Sequence, residues 1–577
     1  MAKFLNLLLP VSIFLLLLSG FLHPISAFTQ DLGRHLIMGE IILKTFSVPN
    51  VNLFSYTYPN FPFINSHWFS EVIFYLIFKL FSSNGLSLLT LITVLSSFYL
   101  IFKVSLKKAH IIPISIISLL YFRVLFERTD IRPEIFSFLF LSIFITILYK
   151  NRKNFTRWIF ILPFIELIWV NTHIYFPIGI AVLGLFFIDG IIINRKKIYC
   201  RYIGISLVTL AASSFAALLN PNFINGALYP FHVFQNYGYQ IEENQNIFFL
   251  ESLFAKPTIP FFKISVIFLF ITLLFSFKKS RPIDLLLSLF FTYLGATAVR
   301  NFPLFVFGTF VPFAFNLSFI FESLSRVFFK ETPSRRSLLA STIKIFLIVT
   351  IILQINQIGT NKKIGFGEEI GARNAADFFL ENNLKGPIFN NFDIGSYLDY
   401  RFYNKEKVFV DGRPEAYPVS FFQDTYIPMQ YNPKTFDETS KKYNFNAIFF
   451  SHSDQTPWGI EFLKQIVNNK EWKIVYLDYY IIILTKDNEE NKKIIDKFTV
   501  IQNNFKINNS DKKDLNSLIR LSVFLNRIGW TNQEAKTYEN MILFNPNYCP
   551  ALYKLIIDQS PLSQIYINRF NQNCKQN

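Results

Sequence analysis

Two short motifs near the N-terminus each place an acidic residue and a histidine four positions apart. They are DLGRH, which contains Asp31 and His35, and SHWFSE, which contains His67 and Glu71. Side chains four residues apart lie on one face of a helix. If both segments are helical, each pair can hold a shared cation or phosphate. These four residues are the first candidates for a functional site.

Three arginines indicate phosphate chemistry. Arg128 and Arg132 occur in the motif ERTDIRPE, and Arg300 occurs in VRNFP. The planar guanidinium group matches phosphate oxygens with two parallel hydrogen bonds. We therefore expect at least one of the three to contact a substrate phosphate. The alternative is that Arg300 extends to the membrane surface while Arg128 pairs with a nearby acid, either Glu127, Asp130 or Glu134.

The composition indicates a membrane protein. Of the 577 residues, 51% are hydrophobic, 71 are Phe and only 16% are charged, whereas soluble domains carry about 25% charged residues. The apolar residues form runs of about 16–20, close to the length of a membrane-spanning helix. About eleven spans are predicted, near residues 5–26, 86–102, 110–126, 134–149, 157–171, 174–193, 202–219, 261–277, 282–299, 302–320 and 338–356. The first span is expected to stay uncleaved, because it is longer than the about 7–15 residues of a signal-peptide core.

Basic residues mark alternate loops between the apolar runs. By the positive-inside rule, these loops, at 103–108, 150–153, 195–201, 278–281 and 326–336, are cytoplasmic. The other loops and the segment after residue 357 are then external, and they contain both acid–histidine motifs, the three arginines and the motif WVNTH with Asn171 and His173. We expect these side chains to form one site. Because basic loops set the topology, the net charge of +17 does not indicate a nucleic-acid partner.

Charged residues and Asn become more frequent after residue 357, which predicts a small external α/β domain over residues 357–490. Strands are expected at 387–390, 407–410, 446–450 and 472–484, and Asp393 is a candidate N-cap. Arg413, in the turn DGR, is expected either to contact substrate or to pair with Asp411. The domain has no GxGxxG, P-loop or nucleophile-elbow motif.

Residues 491–577 are predicted to form a helical tail. Its segment 525–546 resembles one degenerate tetratricopeptide repeat, because Gly529, Ala535, Tyr538 and Pro546 follow the order of that repeat. Cys549 and Cys574 could come together in an oxidising compartment. Three cysteines without metal-ligand spacing nevertheless do not indicate a disulfide framework.

The motifs together resemble an uncharacterised family of bacterial integral membrane proteins related to the GT-C glycosyltransferases. The resembling segments follow one another along residues 1–490: DLGRHLIMGEIIL, VPNVNLFSYTYPN, HWFSEV, RPEIFSFLF, WVNTH, LNPN, RNFPLF, IFNNFDIGSYLDYRFY and KVFVDGRPEAY. The resemblance implies a mainly α, polytopic membrane domain over residues 1–356, whose first external loop, 28–84, bears an essential acid. It also implies transfer of a sugar from a polyprenyl-phosphate donor, on the outer face, to a cell-envelope glycan, lipid or protein.

By this resemblance Asp31 would be the catalytic base or a metal ligand. A divalent cation such as Mg²⁺ or Mn²⁺ is left open as a cofactor, because no adjacent acidic pair is present. The substrate-binding residues would be His35, His67, Glu71, Arg128, Arg132, Asn171, His173, Arg300 and Arg413. The protein would lie in the bacterial inner membrane with its C-terminal domain in the periplasm.

Each of these residues also has a simpler explanation. Asp31 could cap the helix that follows it, and His35 and His67 could be ordinary hydrogen-bonded residues. Asn171 and His173 could satisfy the broken backbone between two short spans. The alternative function is a non-enzymatic membrane protein, either a lipid-glycan carrier or an assembly scaffold for envelope glycans and lipids.

Overall fold

The computed structural model describes residues 2–26, 31–152, 156–193, 201–233, 237–328, 333–361, 363–507, 514–557 and 563–574. The first part of the chain is a helix bundle. Its helices are α1 Ala2–Phe21, α2 Leu32–Thr45, α3 Trp68–Ser105, α4 Ile111–Leu125, α5 Glu134–Asn151, α6 Leu162–Thr172, α7 Pro177–Ile193, α8 Arg201–Ala216, α9 Phe223–His232, α10 Ile247–Leu253, α11 Thr258–Phe275, α12 Pro282–Thr297, α13 Phe302–Phe328 and α14 Pro333–Asn361.

The chain is a multi-pass membrane protein. Within the described residues, six helices are long and apolar enough to cross a bilayer: Lys3–Phe21, Trp68–Ser105, Glu134–Asn151, Thr258–Phe275, Val299–Arg326 and Ser337–Thr360. Helices α4, α7, α8 and α12 are apolar but shorter. Every predicted span coincides with a helix, and the total of about eleven spans stays a prediction.

Aromatic side chains hold the bundle together. Phe98 of α3 packs edge-on against Phe122 of α4 and Phe310 of α13, with ring centroids 5.0 and 5.3 Å apart. Phe262 of α11 stacks on Phe302 of α13 at 4.7 Å. Such pairs stabilise a fold by about 0.5–1.5 kcal/mol beyond the area that they bury. The many Phe residues of the sequence therefore fix helix positions as well as facing lipid.

The segment 28–84 contains more helix than a polar loop would. It includes α2 and the first part of α3, which is 38 residues long and is interrupted at Ser82, where φ is 54°. The remainder of the segment, between α2 and α3, packs on the C-terminal domain. There Ser55 Oγ and Thr57 Oγ1 donate hydrogen bonds to the Phe409 carbonyl at 3.1 and 2.8 Å.

The C-terminal domain is built on a four-stranded sheet of order β1-β2-β4-β3. Strands β1 and β2 are parallel, and the other two pairings are antiparallel. The strands are β1 Ile388–Asn390, β2 Ala447–Ser451, β3 Trp472–Leu477 and β4 Ile481–Lys486. The helices are α15 Arg373–Glu381, α16 Phe392–Phe402, α17 Ile427–Tyr431, α18 Pro433–Tyr443, α19 Pro457–Ile466 and α20 Lys492–Phe498.

Two details of this domain differ from the sequence-based expectation. The predicted strand at 407–410 does not join the sheet, because its backbone pairs with the 28–84 segment through a bridge between Ser55 and Val408. The N-cap of α16 is Asn391, and Asp393 lies in the first turn instead. Helix α16 packs against α2, which joins the domain to the bundle.

The tail consists of α21 Leu515–Arg527, α22 Thr531–Phe544, α23 Cys549–Ile557 and α24 Ser563–Asn573. It packs on the α/β domain, where Phe524 stacks on His452 with ring centroids 4.3 Å apart. A disulfide links Cys549 to Cys574, the pairing that the sequence left open. The relation of α21 and α22 to a tetratricopeptide unit stays a prediction.

Candidate functional site at the end of the helix bundle

Asp31 lies at the N-terminal end of α2 and faces an arginine from another loop. Its Oδ2 is 3.2 Å from Nη1 of Arg132, and its side chain is 27% exposed. Although Asp31 occupies the N-cap position, its side chain makes no capping hydrogen bond to α2. The simpler explanation of Asp31 as a helix cap therefore does not account for its side chain.

Arg132 also contacts Glu243, which lies in a short 3-10 turn over Glu242–Asn244. Arg132 Nη1 is 3.1 Å from Glu243 Oε1, and Arg128 forms an ion pair with the other oxygen of the same carboxylate. Burial would raise the pKa of Glu243, but Arg132 and Arg128 outweigh it and hold that pKa below its usual value. Glu243 is therefore an anion shared by two arginines.

Arg128 is fully engaged with carboxylates. Its Nε and Nη2 donate to the two oxygens of Glu134 at 2.8 and 2.9 Å, and its Nη1 contacts Glu243. The pairing with Glu134 is one of the alternatives that the sequence offered. Arg128 consequently has little capacity left for a phosphate group.

Arg300 has only neutral partners. Its Nε donates to the Tyr175 hydroxyl and its Nη1 to Asn244 Oδ1, both at 2.9 Å, and the guanidinium lies over the Tyr175 ring at 5.4 Å. Among the residues that the structure describes, no carboxylate forms an ion pair with it. Its charge is therefore the best suited of the three to attract a phosphate. Asn244 is adjacent to Glu243, so Arg300 belongs to the same network as Asp31 and Arg132.

The two acid–histidine motifs interlock. Nδ1 of His35 is 2.9 Å from Oε1 of Glu71, so the histidine of the first motif bonds to the acid of the second. Its ring lies 5.8 Å from that of His67, which lies 5.1 Å from that of His173. His173 Nδ1 is in turn 2.9 Å from Ser137 Oγ. The result is a row of three histidines that runs from α2 into the bundle.

The three histidines are uncharged at neutral pH. Burial lowers the pKa of His35 and of His173 well below the usual value. Burial and the neighbouring His35 lower the pKa of His67 to about 3. These rings therefore act as hydrogen-bonding groups and supply no positive charge for a phosphate.

The α/β domain forms a second wall beside Asp31. Gly412 approaches so closely that a β-carbon there would lie 3.0 Å from Asp31 Oδ1 and 2.8 Å from Ser396 Oγ. The Asp393 side chain is exposed, yet partial desolvation and the carboxylates of Asp454 and Asp31 raise its pKa to about 7. Asp393 is thus a second acid, close enough to Asp31 for the charge of Asp31 to raise its pKa.

Arg413 is completely buried, with 0% of its side chain exposed. It donates to Asp411 at 2.8 and 2.6 Å and to Asn52 Oδ1 at 2.9 Å, and it lies 5.0 Å from the ring centroids of Phe54 and Phe63. This burial does not support the expected contact with a substrate. The geometry is that of the turn pair with Asp411, and it ties the 28–84 segment to the α/β domain.

Asn171 positions two elements of the bundle. It accepts a hydrogen bond from Trp68 Nε1 at 2.8 Å and donates to the carbonyls of Leu167 and Leu219. These bonds join the start of α3 to the end of α6 and to the chain after α8. They agree with the alternative in which Asn171 satisfies backbone groups between short helices.

Metal dependence stays open. In the described ranges, no group of three or more His, Cys, Asp or Glu side chains is arranged to hold a metal ion. His35 and Glu71 are already bonded to each other, and Asp31 is paired with Arg132. A divalent cation at this site remains an expectation.

Sequence reasoning missed Glu243, Asn244, Tyr175 and Gly412. Glu243 and Asn244 belong to the motif IEENQ, which lies between the basic loops at 195–201 and 278–281 and has no recognisable function by itself. Its acidic residues are a usable signal, because acids are rare in this part of the chain and a largely buried carboxylate needs a cation beside it. The role of Gly412 depends on contact between two parts of the chain and left no signal in the sequence.

Comparisons with known proteins agree with this architecture. No protein-family model and no curated protein sequence matches the chain. Among solved structures, the oligosaccharyltransferase AglB from Archaeoglobus fulgidus, in complex with an inhibitory peptide and a dolichol-phosphate, has a TM-score of 0.55 at 11% identity. That match covers 97% of this chain and 86% of the AglB chain.

Two other solved structures are also similar. The same archaeal enzyme tethered with an acceptor peptide has a TM-score of 0.51 at 11% identity, over 84% of this chain and 74% of that chain. ArnT from Cupriavidus metallidurans in the apo state has a TM-score of 0.47 at 13% identity, over 84% and 97%. The likeness to AglB confirms that the chain has a GT-C-like fold.

Proposed function

We propose that this protein is a membrane glycosyltransferase. It transfers a sugar from a polyprenyl-phosphate-linked donor to a glycan, lipid or protein acceptor of the cell envelope, at the outer face of the inner membrane. The observation that carries the proposal is the Asp31 carboxylate, held 3.2 Å from Arg132 in one network with Arg300. An acid and a cation that lacks a carboxylate partner are the two groups that sugar transfer from a phosphate requires.

The fold supports a lipid-phosphate donor. The AglB structure to which the chain is similar holds a dolichol-phosphate. Similarity at 11% identity supports the fold alone. The argument for the chemistry therefore depends on residues of this chain. Asp31 and Arg300 both lie at the end of the bundle where α2, α5 and α13 begin.

Asp31 and the arginines have different roles in the proposed reaction. Asp31 accepts the proton of the acceptor hydroxyl as its oxygen forms a bond to the anomeric carbon. The bond between that carbon and the phosphate oxygen breaks, and polyprenyl phosphate leaves with the bonding electron pair. Arg300 and Arg132 stabilise the negative charge that develops on the phosphate. The neutral histidines orient α2 and α3, which hold Asp31 in place.

Two observations support the outer face as the location of the site. The Cys549–Cys574 disulfide is typical of an oxidising compartment, and the tail that carries it packs on the α/β domain beside the site. The basic segments 103–108, 150–152 and 278–281 lie at the other end of helices α3, α5 and α12. By the positive-inside rule, that end is cytoplasmic.

The test compares Asp31→Asn with Glu40→Gln, a change on the same helix at a carboxylate that forms an ion pair with the exposed Lys44. Each variant is produced in a deletion strain, and envelope glycans are analysed by mass spectrometry. We expect Asp31→Asn to lower the amount of product at least about 100-fold, because a general base usually contributes a rate factor of this size. Glu40→Gln should retain product.

The carrier or scaffold alternative predicts a different outcome. It requires Asp31→Asn to behave as the wild type, while deletion of residues 360–577 abolishes partner binding. Full product from a correctly inserted Asp31→Asn variant would therefore remove Asp31 from the mechanism and favour the alternative.

A further inference from the structure

A basic pocket of about 190 Å³ lies between the C-terminal ends of α3 and α5, the start of α12 and the middle of α13. A cavity needs roughly 10–15 Å³ to hold one water molecule, so this pocket has space for a larger group. Five cationic side chains line it: Lys107, Lys108, Lys150, Arg152 and Arg281. They come from three separate segments of the chain, at the ends of α3 and α5 and just before α12.

The pocket is remote from Asp31. Helix α5 begins at Glu134, which bonds to Arg128 in the candidate site, and it ends at Asn151, beside the pocket. Its 18 residues separate the two places by about 27 Å at 1.5 Å per residue. Helix α12 likewise starts at Pro282 beside the pocket and ends just before Arg300. The pocket is therefore distinct from the proposed catalytic site.

The positive charges of the pocket exceed its negative charges. Arg152 pairs with the buried Asp189 at 2.6 Å, and Arg281 pairs with the buried Asp284 at 2.5 Å. Lys107 and Lys150 form no ion pair with a carboxylate of the part of the chain that the structure describes. Within the described residues, Arg152 and Arg281 are thus each paired with a carboxylate while Lys107 and Lys150 are not, which leaves a local excess of positive charge for an anion to neutralise.

The pocket combines two arginines that buried carboxylates hold in place with lysines on long, flexible side chains. The Arg281 guanidinium lies 4.8 Å from the Tyr149 ring centroid and 4.3 Å from that of Phe315, and Asp284 holds its Nε at 2.8 Å. The Tyr149 hydroxyl donates to the same carboxylate at 2.9 Å. Lysine ammonium groups on flexible stems can move to an anion that the arginine has oriented.

We propose that this pocket binds the phosphate headgroup of an anionic phospholipid. Phosphate is the anion that this mixture of arginine and lysine donors recognises, and basic pockets between membrane helices suit lipid headgroups. Exposed apolar residues beside the pocket, Leu106 and Phe319, offer a surface for acyl chains. A bound headgroup would tie together the ends of α3, α5 and α12.

The full-length protein is tested in nanodiscs of phosphatidylcholine with and without phosphatidylglycerol, and retained lipid is measured by native mass spectrometry. The pocket variant is Lys107→Ala/Lys150→Ala. Its control is Lys278→Ala/Lys279→Ala, which removes the same charge from two exposed lysines outside the pocket. A separate arm measures binding of inorganic phosphate alone.

Near a membrane surface, loss of two lysines should weaken phosphatidylglycerol binding by about 30-fold. We expect this loss in the pocket variant, and a change of less than about threefold in the control, because its lysines lie beyond the pocket. Equal retention by the pocket variant and the wild type would overturn the proposal. Inorganic phosphate that binds as tightly as the lipid would overturn a phospholipid as the source of the phosphate.

Discussion

Gly412 and Asp31 are in close contact, although they are far apart in the sequence. The absence of a side chain at Gly412 leaves the space that Asp31 Oδ1 occupies, since a β-carbon there would lie only 3.0 Å away. The α/β domain is therefore part of the candidate site. Its turn DGR helps to set the position of the carboxylate that we propose as the base.

The first prediction is that Gly412→Ala lowers transfer activity while the fold is retained. The added methyl group meets two side-chain ends, Asp31 Oδ1 and Ser396 Oγ, which can move without a backbone shift. A displacement of about 1 Å at a reacting group can cost about 100-fold in rate. Product formation and thermal unfolding are measured together. Gly184→Ala is the control, because nothing lies within 4 Å of its added β-carbon, and wild-type activity in Gly412→Ala would contradict the idea.

The second prediction concerns Arg300. If it stabilises the leaving phosphate, Arg300→Ala should lower turnover by about 10²–10³-fold, as loss of one such donor does elsewhere. Arg300→Lys should recover part of the rate, because it restores the charge without the fork of donors. Turnover is measured with a synthetic polyprenyl-phosphate sugar. Arg123→Ala, which removes an arginine bonded to Gln357, should keep the wild-type rate.

The third prediction uses two adjacent acids. Glu243→Gln removes a carboxylate shared by Arg128 and Arg132 and leaves two cations partly uncompensated. Breaking a buried ion pair lowers the free energy of unfolding by about 3–5 kcal/mol. Because Glu243 is partly exposed, we expect the Glu243→Gln substitution to fall at the lower end of this range. Glu242→Gln, whose carboxylate is 54% exposed and pairs with Lys256, should cost about 0–1 kcal/mol. Denaturant unfolding measures the stability that each variant loses, and equal losses in the two variants would contradict the prediction.

The fourth prediction concerns pH. Because the folded protein raises the pKa of Asp393 from the ordinary 3.8 to about 7, it binds more protons than the unfolded chain between these values. Stability should then fall as pH rises from about 4 to about 7 and should not change further above that range through this group. Asp393→Asn should remove this slope. Unfolding temperatures across this pH range provide the measurement, and a slope in Asp393→Asn equal to that of the wild type would contradict the prediction.

The fifth prediction concerns the tail. With Cys549 and Cys574 joined, denatured but unreduced protein should react with maleimide at one cysteine of the three. Reduction should expose all three. Three labels before reduction would argue against both the disulfide and an oxidising compartment for the tail.

The charged residues of the candidate site could be singled out from the sequence because charges are scarce in this chain. Asp31, Arg132 and Arg300 stood out against long apolar runs, and the structure brings them into one network. The partners of these residues could not be predicted in the same way. Glu243 meets Arg132 through a turn more than a hundred residues further along, and no local pattern encodes that contact.

Two features of the α/β domain depend on contacts between distant segments. Arg413 was expected either to contact substrate or to pair with Asp411, and residues 407–410 suggested a strand of the sheet. In the structure both contact the segment between α2 and α3, Arg413 through Asn52 and residues 407–410 through the Ser55–Val408 bridge. Local sequence predicts the conformation that a segment can adopt. Packing between distant segments decides which of the possible partners it contacts.

Arg132 serves two carboxylates with one nitrogen, which has a consequence for the order of events in the proposed reaction. A phosphate that enters must compete with Asp31 and Glu243 for the same donor. Before a phosphate arrives, the ion pair with Arg132 occupies the Asp31 carboxylate. A phosphate that takes this donor releases the carboxylate from the pair. The enzyme would then activate its acceptor only after the donor is in place, which guards the lipid-linked sugar against being lost to water.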